Sequence, residues 1–376
     1  MTEMPAAVIE APGRELTVEA VELAEPGPGE ARVRIEASGV CHSDWNAATG
    51  ASITPMPAVL GHEGAGVVEE VGPGVSLVRP GDRVVLSWLP WCGRCAPCLR
   101  GELSLCAVAM NEMGDGSLPG GGFRLSRNGE RIYHYSYLST FARYAVVHER
   151  SCIVLPDGAD LSVAALVGCA VMTGMGAILN KARVTPGSSV AVFGAGGVGL
   201  SAAMAARFVG AEQVIVVDTI AAKAELASQM GATHVVTASG DMAEELIREI
   251  APRGVDYAVE ATGLPRVATA AFNSTRRGGM LVMIGLAPEG VDVSFPAALL
   301  VRSERVVTGT LYGSSRPPLD MPMLMRLHAE GRLPLEKLIT TRYPLEKVNE
   351  AFDDMRRGRV VRGVLIPWEE TPNADR

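Results

Sequence analysis

Seven cysteines are spread unevenly along the 376-residue chain. Four of them fall within fifteen residues, Cys92-Gly-Arg-Cys95-Ala-Pro-Cys98 followed by Cys106. That spacing lets four sulfurs surround one tetrahedral ion, and a closed Cys₄ zinc site without an open position is structural rather than catalytic. Such binding contributes about 10–16 kcal/mol, enough to order a loop too short for a core of its own. Iron–sulfur clusters use similar spacing, and the cysteines alone leave that alternative open. A second set is dispersed: Cys41-His42-Ser43-Asp44, then Gly61-His62-Glu63, then Gly168-Cys169-Ala170. Two cysteines and a histidine around zinc would leave a fourth position for water or an alcohol. Taken singly, Cys169 also reads as a small core residue and His62 as a turn histidine.

A third motif is local. In residues 190–218 an apolar run leads into Gly194-Ala-Gly196-Gly-Val198-Gly199, an Ala-rich stretch follows, and a second apolar run ends at Asp218. This reads as strand, phosphate turn, helix and strand. Gly194 makes the tight turn, Gly196 lets backbone approach a pyrophosphate, and Gly199 lets the helix sit close on the sheet. Asp218, nineteen residues beyond Gly199, ends the second strand, where a carboxylate accepts from both ribose hydroxyls of an adenosine. A 2′-phosphate would meet a like charge there, so the expected cofactor is NAD.

Elements must bring these motifs together. Residues 1–150 hold short β-branched runs bounded by Gly and Pro, at 32–37, 64–71, 82–86 and 141–147, and read as an antiparallel, barrel-like β domain. Residues 111–137, with Gly120-Gly-Gly and the aromatics Tyr133, Tyr135 and Tyr137, read as a long loop. After Thr173 strands and helices alternate, the pattern of a doubly wound parallel sheet. An amphipathic helix is expected at 322–330 and a frayed tail at 369–376.

The totals suit a two-domain globular chain, 48% hydrophobic and 20% charged. A net charge of −8 without a basic cluster argues against nucleic acid and anionic membranes as partners. Residues 161–180 and 185–206 are free of charge, but glycines interrupt both and the second holds the phosphate turn, so no spanning helix is expected. The start lacks a basic segment followed by an apolar one, and clustered thiols suit a reducing cytoplasm.

Taken together, Gly-Val-Cys41-His-Ser-Asp, Gly-His62-Glu63, the four-cysteine lobe, Gly-Cys169, the glycine turn, Asp218 and Val361-Arg362-Gly-Val-Leu resemble the zinc-dependent medium-chain alcohol dehydrogenase family in order along nearly the whole chain. The resemblance implies an α/β fold: a GroES-like β-rich catalytic domain at 1–172 and 313–376, with its zinc lobe at 92–106, and a Rossmann NAD-binding domain at 173–312. It implies a catalytic zinc on Cys41, His62 and Cys169, with Glu63 behind it and Asp44 orienting His62, and a structural zinc on the lobe. Ser43 would relay the alcohol proton. His42 and Arg362 would meet the pyrophosphate, Lys223 the adenosine ribose, and Thr173, Val198, Ile284 and Leu286 the nicotinamide side. Trp88 would narrow the substrate pocket. Where many relatives carry a histidine three residues past the relay hydroxyl, this chain has Asn46. The long loop and Val291-Asp-Val-Ser-Phe-Pro resemble the members that pair as homodimers.

The expected reaction is hydride transfer between a primary, bulky or aromatic alcohol and NAD, interconverting alcohol and aldehyde. The alternative is a thiol-adduct formaldehyde dehydrogenase. Members of that type hold the glutathione carboxylate with an arginine just past the last lobe cysteine, where this chain reads Cys106-Ala-Val-Ala-Met-Asn. A zinc-containing NAD sensor without turnover is disfavoured, because all three ligands and Ser43 are present.

Overall fold

The computed structural model describes residues 1–288 and 290–369. Of the expected tail only Glu369 is among them. The chain forms two compact units: one of Met1–Cys169, Arg316–Glu330 and Ile339–Arg376, the other of Ala170–Ser315 and Gly331–Leu338. The first boundary lies three residues earlier than 172/173 because it falls inside a continuous helical run, where no turn residue marks it. That run, Leu161–Ala182, is the one described helix long and apolar enough to cross a membrane, and 83% of its most apolar stretch is buried in the protein.

In the first unit, strands Thr2–Ile9, Thr17–Leu23, Leu125–Arg127, Glu130–His134 and Ala58–Val59 close a barrel. Beside it runs a sheet ordered Cys152–Val154, Arg83–Leu86, Glu63–Val71, Glu30–Gly39, Arg362–Ile366 and Ile339–Pro344, with Tyr144–His148 also pairing with Glu30–Gly39. Ile9, Val21, Leu60, Ile132, Phe141 and Phe352 are among its buried apolar residues. Residues 111–137 are thus not loop throughout, since they supply two barrel strands. The signal for that hairpin was Asn128-Gly129, with φ of 52° and 80°, joining Arg127 to its partner Glu130. An Asn-Gly pair of this kind makes the tight turn whose twist matches paired strands. The helix expected at 322–330 starts earlier, at Pro317–Ala329, because prolines at its first positions need no hydrogen-bond partner there.

In the second unit six parallel strands lie in the order His234–Thr237, Gln213–Asp218, Ser189–Phe193, Val255–Glu260, Thr275–Met283 and Val306–Gly309. This is the 3-2-1-4-5-6 order of a doubly wound sheet, with its switch point beside the strand that enters the glycine turn. The central strands are apolar on both faces, as a sheet covered by helices on each side requires.

Candidate functional site

Three strand ends meet in the first unit. Glu30–Gly39 runs into Cys41, and Glu63–Val71 starts just after His62, paired antiparallel so that Gly39 faces Glu63. Arg362–Ile366 pairs on the other side of Glu30–Gly39, with Val364 opposite Gly39. Cys169 comes from a one-turn π-helix, Val167–Val171, continuing the helix Leu161–Leu166. Such bulges re-aim a side chain that a regular helix would point elsewhere.

One ligand atom from each of Cys41, His62, Glu63 and Cys169 lies within 4.8 Å of every other. Asp44 orients the imidazole: its Oδ1 lies 2.9 Å from His62 Nδ1 and accepts from Gly61 N, and its Oδ2 accepts from Cys41 N, both at 3.1 Å. With Nδ1 bonded to a carboxylate, the other ring nitrogen is the one available to a metal. The Cys41 thiol is pulled well below its ordinary range by the Cys169 hydrogen bond and by the charges of Arg362 and His62. Burial pushes the Glu63 carboxyl up to about 8 against the pull of Arg362. Its Oε1 accepts from Arg362 Nη2 at 3.0 Å, while Oε2 is buried without a hydrogen bond. Two thiols, an imidazole and a buried carboxylate that keeps one oxygen without a hydrogen bond make a donor set suited to zinc, so the residues fit that ion. Gly39 makes the room, since a Cβ there would sit 2.2 Å from Glu63 Oε2.

One residue differs from expectation. Arg362, expected at a pyrophosphate, is turned inward: it is 5% exposed and also donates to Val40 O at 2.9 Å. A buried Glu63 needs a counter-charge, and Arg362 is the cation in reach. Trp88 is half-buried and packs on the core of Val33, Leu86 and Leu138. Ser43 and the exposed His42 start the helix His42–Thr49, with Ser43 Oγ 3.9 Å from Cys41 Sγ. Of the loop aromatics, Tyr137 is buried packing, whereas Tyr135 meets His62 edge-on with centroids 5.7 Å apart. Neither Gly39 nor the inward turn of Arg362 carried a local signal in the sequence.

The four sulfurs of Cys92, Cys95, Cys98 and Cys106 also lie within 4.8 Å of one another. Backbone amides point at them: Cys92 N lies 3.2 Å from Cys106 Sγ and Cys95 N 3.3 Å from Cys92 Sγ. The Cys98 amide leads in pulling the Cys95 thiol down to about 6, while burial pushes Cys98 up to about 12. The lobe buries little, with Leu99 75% and Leu105 50% exposed, so a bound ion is what would hold it.

In the second unit Gly194 has φ of +102°, and a Cβ on Gly199 would fall 1.8 Å from Gly194 O. Gly196 has nothing within 4 Å of such a Cβ, leaving an open cradle over the start of helix Gly197–Phe208. Asp218 holds the turn through Ala195 N at 2.7 Å, and Lys223 Nζ lies 3.3 Å from its Oδ2. Thr173 and Val198 approach through Gly174, whose Cβ would sit 2.2 Å from Val198 O. Ile284 is half-buried, its amide on Glu260 O, and Leu286 is 74% exposed.

Residues 27–157 match the alcohol dehydrogenase GroES-like domain, and residues 197–330 match the zinc-binding dehydrogenase domain. An NDMA-dependent alcohol dehydrogenase of Amycolatopsis methanolica is 38% identical over 96% of this chain and 98% of its own length. An S-(hydroxymethyl)glutathione dehydrogenase of Escherichia coli shows the same identity and the same coverage of both chains. Among solved structures, benzyl alcohol dehydrogenase from Acinetobacter calcoaceticus superposes with a TM-score of 0.92 at 32% identity, covering 97% of this chain and 99% of that one. With both domains matched, relatives aligned end to end and a Cys₂His cluster assembled beside a Cys₄ lobe, the chain belongs to the zinc-dependent medium-chain alcohol dehydrogenases.

Proposed function

We propose that this protein is an NAD-dependent dehydrogenase for primary alcohols, bulky or aromatic ones included, working with one catalytic and one structural zinc per subunit. The observation that carries the reading is the convergence of Cys41, His62 and Cys169, with Glu63 behind them and Asp44 on His62. When bound, the zinc would act as the Lewis acid that acidifies an alcohol hydroxyl, and the dinucleotide would accept the hydride. Asp44 keeps the His62 ring in one tautomer. Ser43, next to Cys41 at the start of its helix, takes the alcohol proton. The Asn46 amide cannot titrate, so that proton leaves by water or the ribose rather than by a histidine.

NAD rather than NADP is supported by Asp218, whose carboxylate stands at the strand end where a 2′-phosphate would bring like charge. Thr173, Val198, Ile284 and Leu286 would serve the nicotinamide side, Lys223 the ribose and His42 the pyrophosphate. The NDMA-dependent relative makes the electron acceptor a point to test. The exposed Val306 on the sheet's edge strand, with the exposed Val291, Leu299 and Val301 in the chain segment before it, supports a homodimer. Clustered thiols suit a cytoplasmic setting. The second reading, a thiol-adduct formaldehyde dehydrogenase, is favoured by the E. coli relative and disfavoured by helix Ala107–Glu112, which carries no arginine past Cys106.

The deciding experiment follows absorbance at 340 nm with NAD or NADP over ethanol, benzyl alcohol and secondary alcohols, and over formaldehyde with and without glutathione, alongside zinc analysis. Turnover of free primary alcohols with two zincs is the expected result. Activity confined to formaldehyde plus glutathione would replace it with the second reading, and activity with NDMA but no free NAD turnover would overturn the proposed use of NAD.

A further inference from the structure

Residues 134–141 carry a backbone that the reaction above does not use. Ser136, Tyr137 and Ser139 have φ of 49°, 61° and 55°, three left-handed residues in four positions and none of them glycine. Such a backbone is strained and persists only where its surroundings over-determine it. Here the surroundings are the helix that follows the four-cysteine lobe and the stretch that leads into His62. Tyr137, 1% exposed, donates its hydroxyl to Ala109 O at 2.6 Å, three residues past Cys106. Ser139 donates its hydroxyl to Val59 O at 2.8 Å, and the amides of Thr140 and Phe141 reach Gly61 O and Leu60 O at 3.0 Å. Those three carbonyls belong to the stretch that ends in His62. The other end of the segment holds Tyr135, whose amide donates to Ser139 Oγ at 3.0 Å. Its hydroxyl donates to Ser43 O at 2.9 Å, and its ring stands edge-on to His62 at 80°.

We propose that Tyr135 is a positioning residue for the dispersed site, aimed by a strained segment that Tyr137 anchors to the helix following the Cys₄ lobe. The hydroxyl holds the first turn of helix His42–Thr49, which carries Ser43 and follows directly on Cys41. The ring blocks rotation of the imidazole that Asp44 grips from one side only. Strain at 136–139 makes the aim stiff, because the segment cannot relax without giving up bonds to both the lobe helix and the His62 stretch. The lobe thereby contributes to the geometry of a site whose ligands it does not share. The inference rests on zinc occupying the Cys41, His62 and Cys169 cluster, and is independent of which alcohol is turned over.

Tyr135→Phe keeps the ring and deletes the bond to Ser43 O, whereas Tyr137→Phe deletes only the bond to Ala109 O. Zinc-loaded full-length protein is mixed with the chelating dye 4-(2-pyridylazo)resorcinol, and release of the two equivalents is followed together with kcat and KM for benzyl alcohol. In Tyr135→Phe one equivalent should leave about ten- to a hundredfold faster, the other at an unchanged rate, with kcat falling more than KM rises. Tyr137→Phe should move the same equivalent in the same direction by less, with the unfolding midpoint of both variants near wild type. Release rates within about twofold of wild type in both variants, or equal acceleration of both equivalents, would overturn the proposal. If the wild type oxidises no alcohol, the functional reading fails while zinc release still decides this one.

Discussion

Arg362 Nη2 donates to Glu63 Oε1 across 3.0 Å, with the arginine side chain 5% exposed and the glutamate fully buried. The pair lies directly behind the thiols, and Nη2 also comes within 3.7 Å of Cys41 Sγ. Above about pH 8, where the Glu63 carboxyl is ionised, deleting Arg362 strands its charge. Arg362→Met should therefore destabilise the protein by about 3–5 kcal/mol, and the double variant Glu63→Gln/Arg362→Met should recover most of that loss. Urea unfolding of the two variants checks it. Equal losses in both would mean that the arginine acts by packing alone.

Asp218 should decide between dinucleotides. A like charge against a 2′-phosphate is worth about 2–3 kcal/mol, so wild type should prefer NAD to NADP by roughly a hundredfold in kcat/KM. Asp218→Gly should shrink that ratio chiefly by losing efficiency with NAD, and Lys223, 3.3 Å from the carboxylate, would then be free to favour the phosphate. An unchanged ratio would remove Asp218 from the ribose site.

Asn46 sits half-buried on helix His42–Thr49, three residues past Ser43. The kcat profile of wild type should lack a limb near the ordinary histidine pKa of about 6.5, and Asn46→His should introduce one. Stopped-flow proton release with a pH indicator measures the same step directly. Identical profiles for the two proteins would rule out a relay through this position.

His134 gives an acid-stability signature. It is 2% exposed, its Nε2 accepts from Arg124 N at 3.1 Å, and burial, aided by the Arg124 charge, pushes its pKa down to about 3. In the unfolded chain the imidazole takes up a proton below about 6.5, whereas the folded form resists until about 3. Stability from this group is thus complete above the unfolded value and is lost as pH falls through that window, by up to ~1.4 kcal/mol per pH unit. His134→Gln keeps an acceptor for Arg124 N and should flatten the difference between unfolding midpoints at pH 7.5 and pH 5. A variant that loses stability on acidification as steeply as wild type would exclude His134 as the cause.

The local motifs were legible because each is specified by neighbours in the chain. The glycine turn and Asp218 lie within one strand–turn–helix–strand unit, and the four lobe cysteines within fifteen residues, so spacing alone carries their chemistry. Residues whose partners are distant in sequence stayed hidden. Arg362 finds Glu63 across 299 positions because two strands flank Glu30–Gly39, and nothing near either residue encodes that pairing. Gly39 matters only because Glu63 faces it, and Tyr135 only because a strained segment brings it back to His62 and Ser43. The hairpin at Asn128-Gly129 does carry a local signal, set among the glycines of residues 114–129. The sequence by itself determined which side chains could hold metal and nucleotide. The tertiary structure decided which buried charges neutralise one another, since desolvating Glu63 creates a demand that only a residue delivered by the sheet can meet.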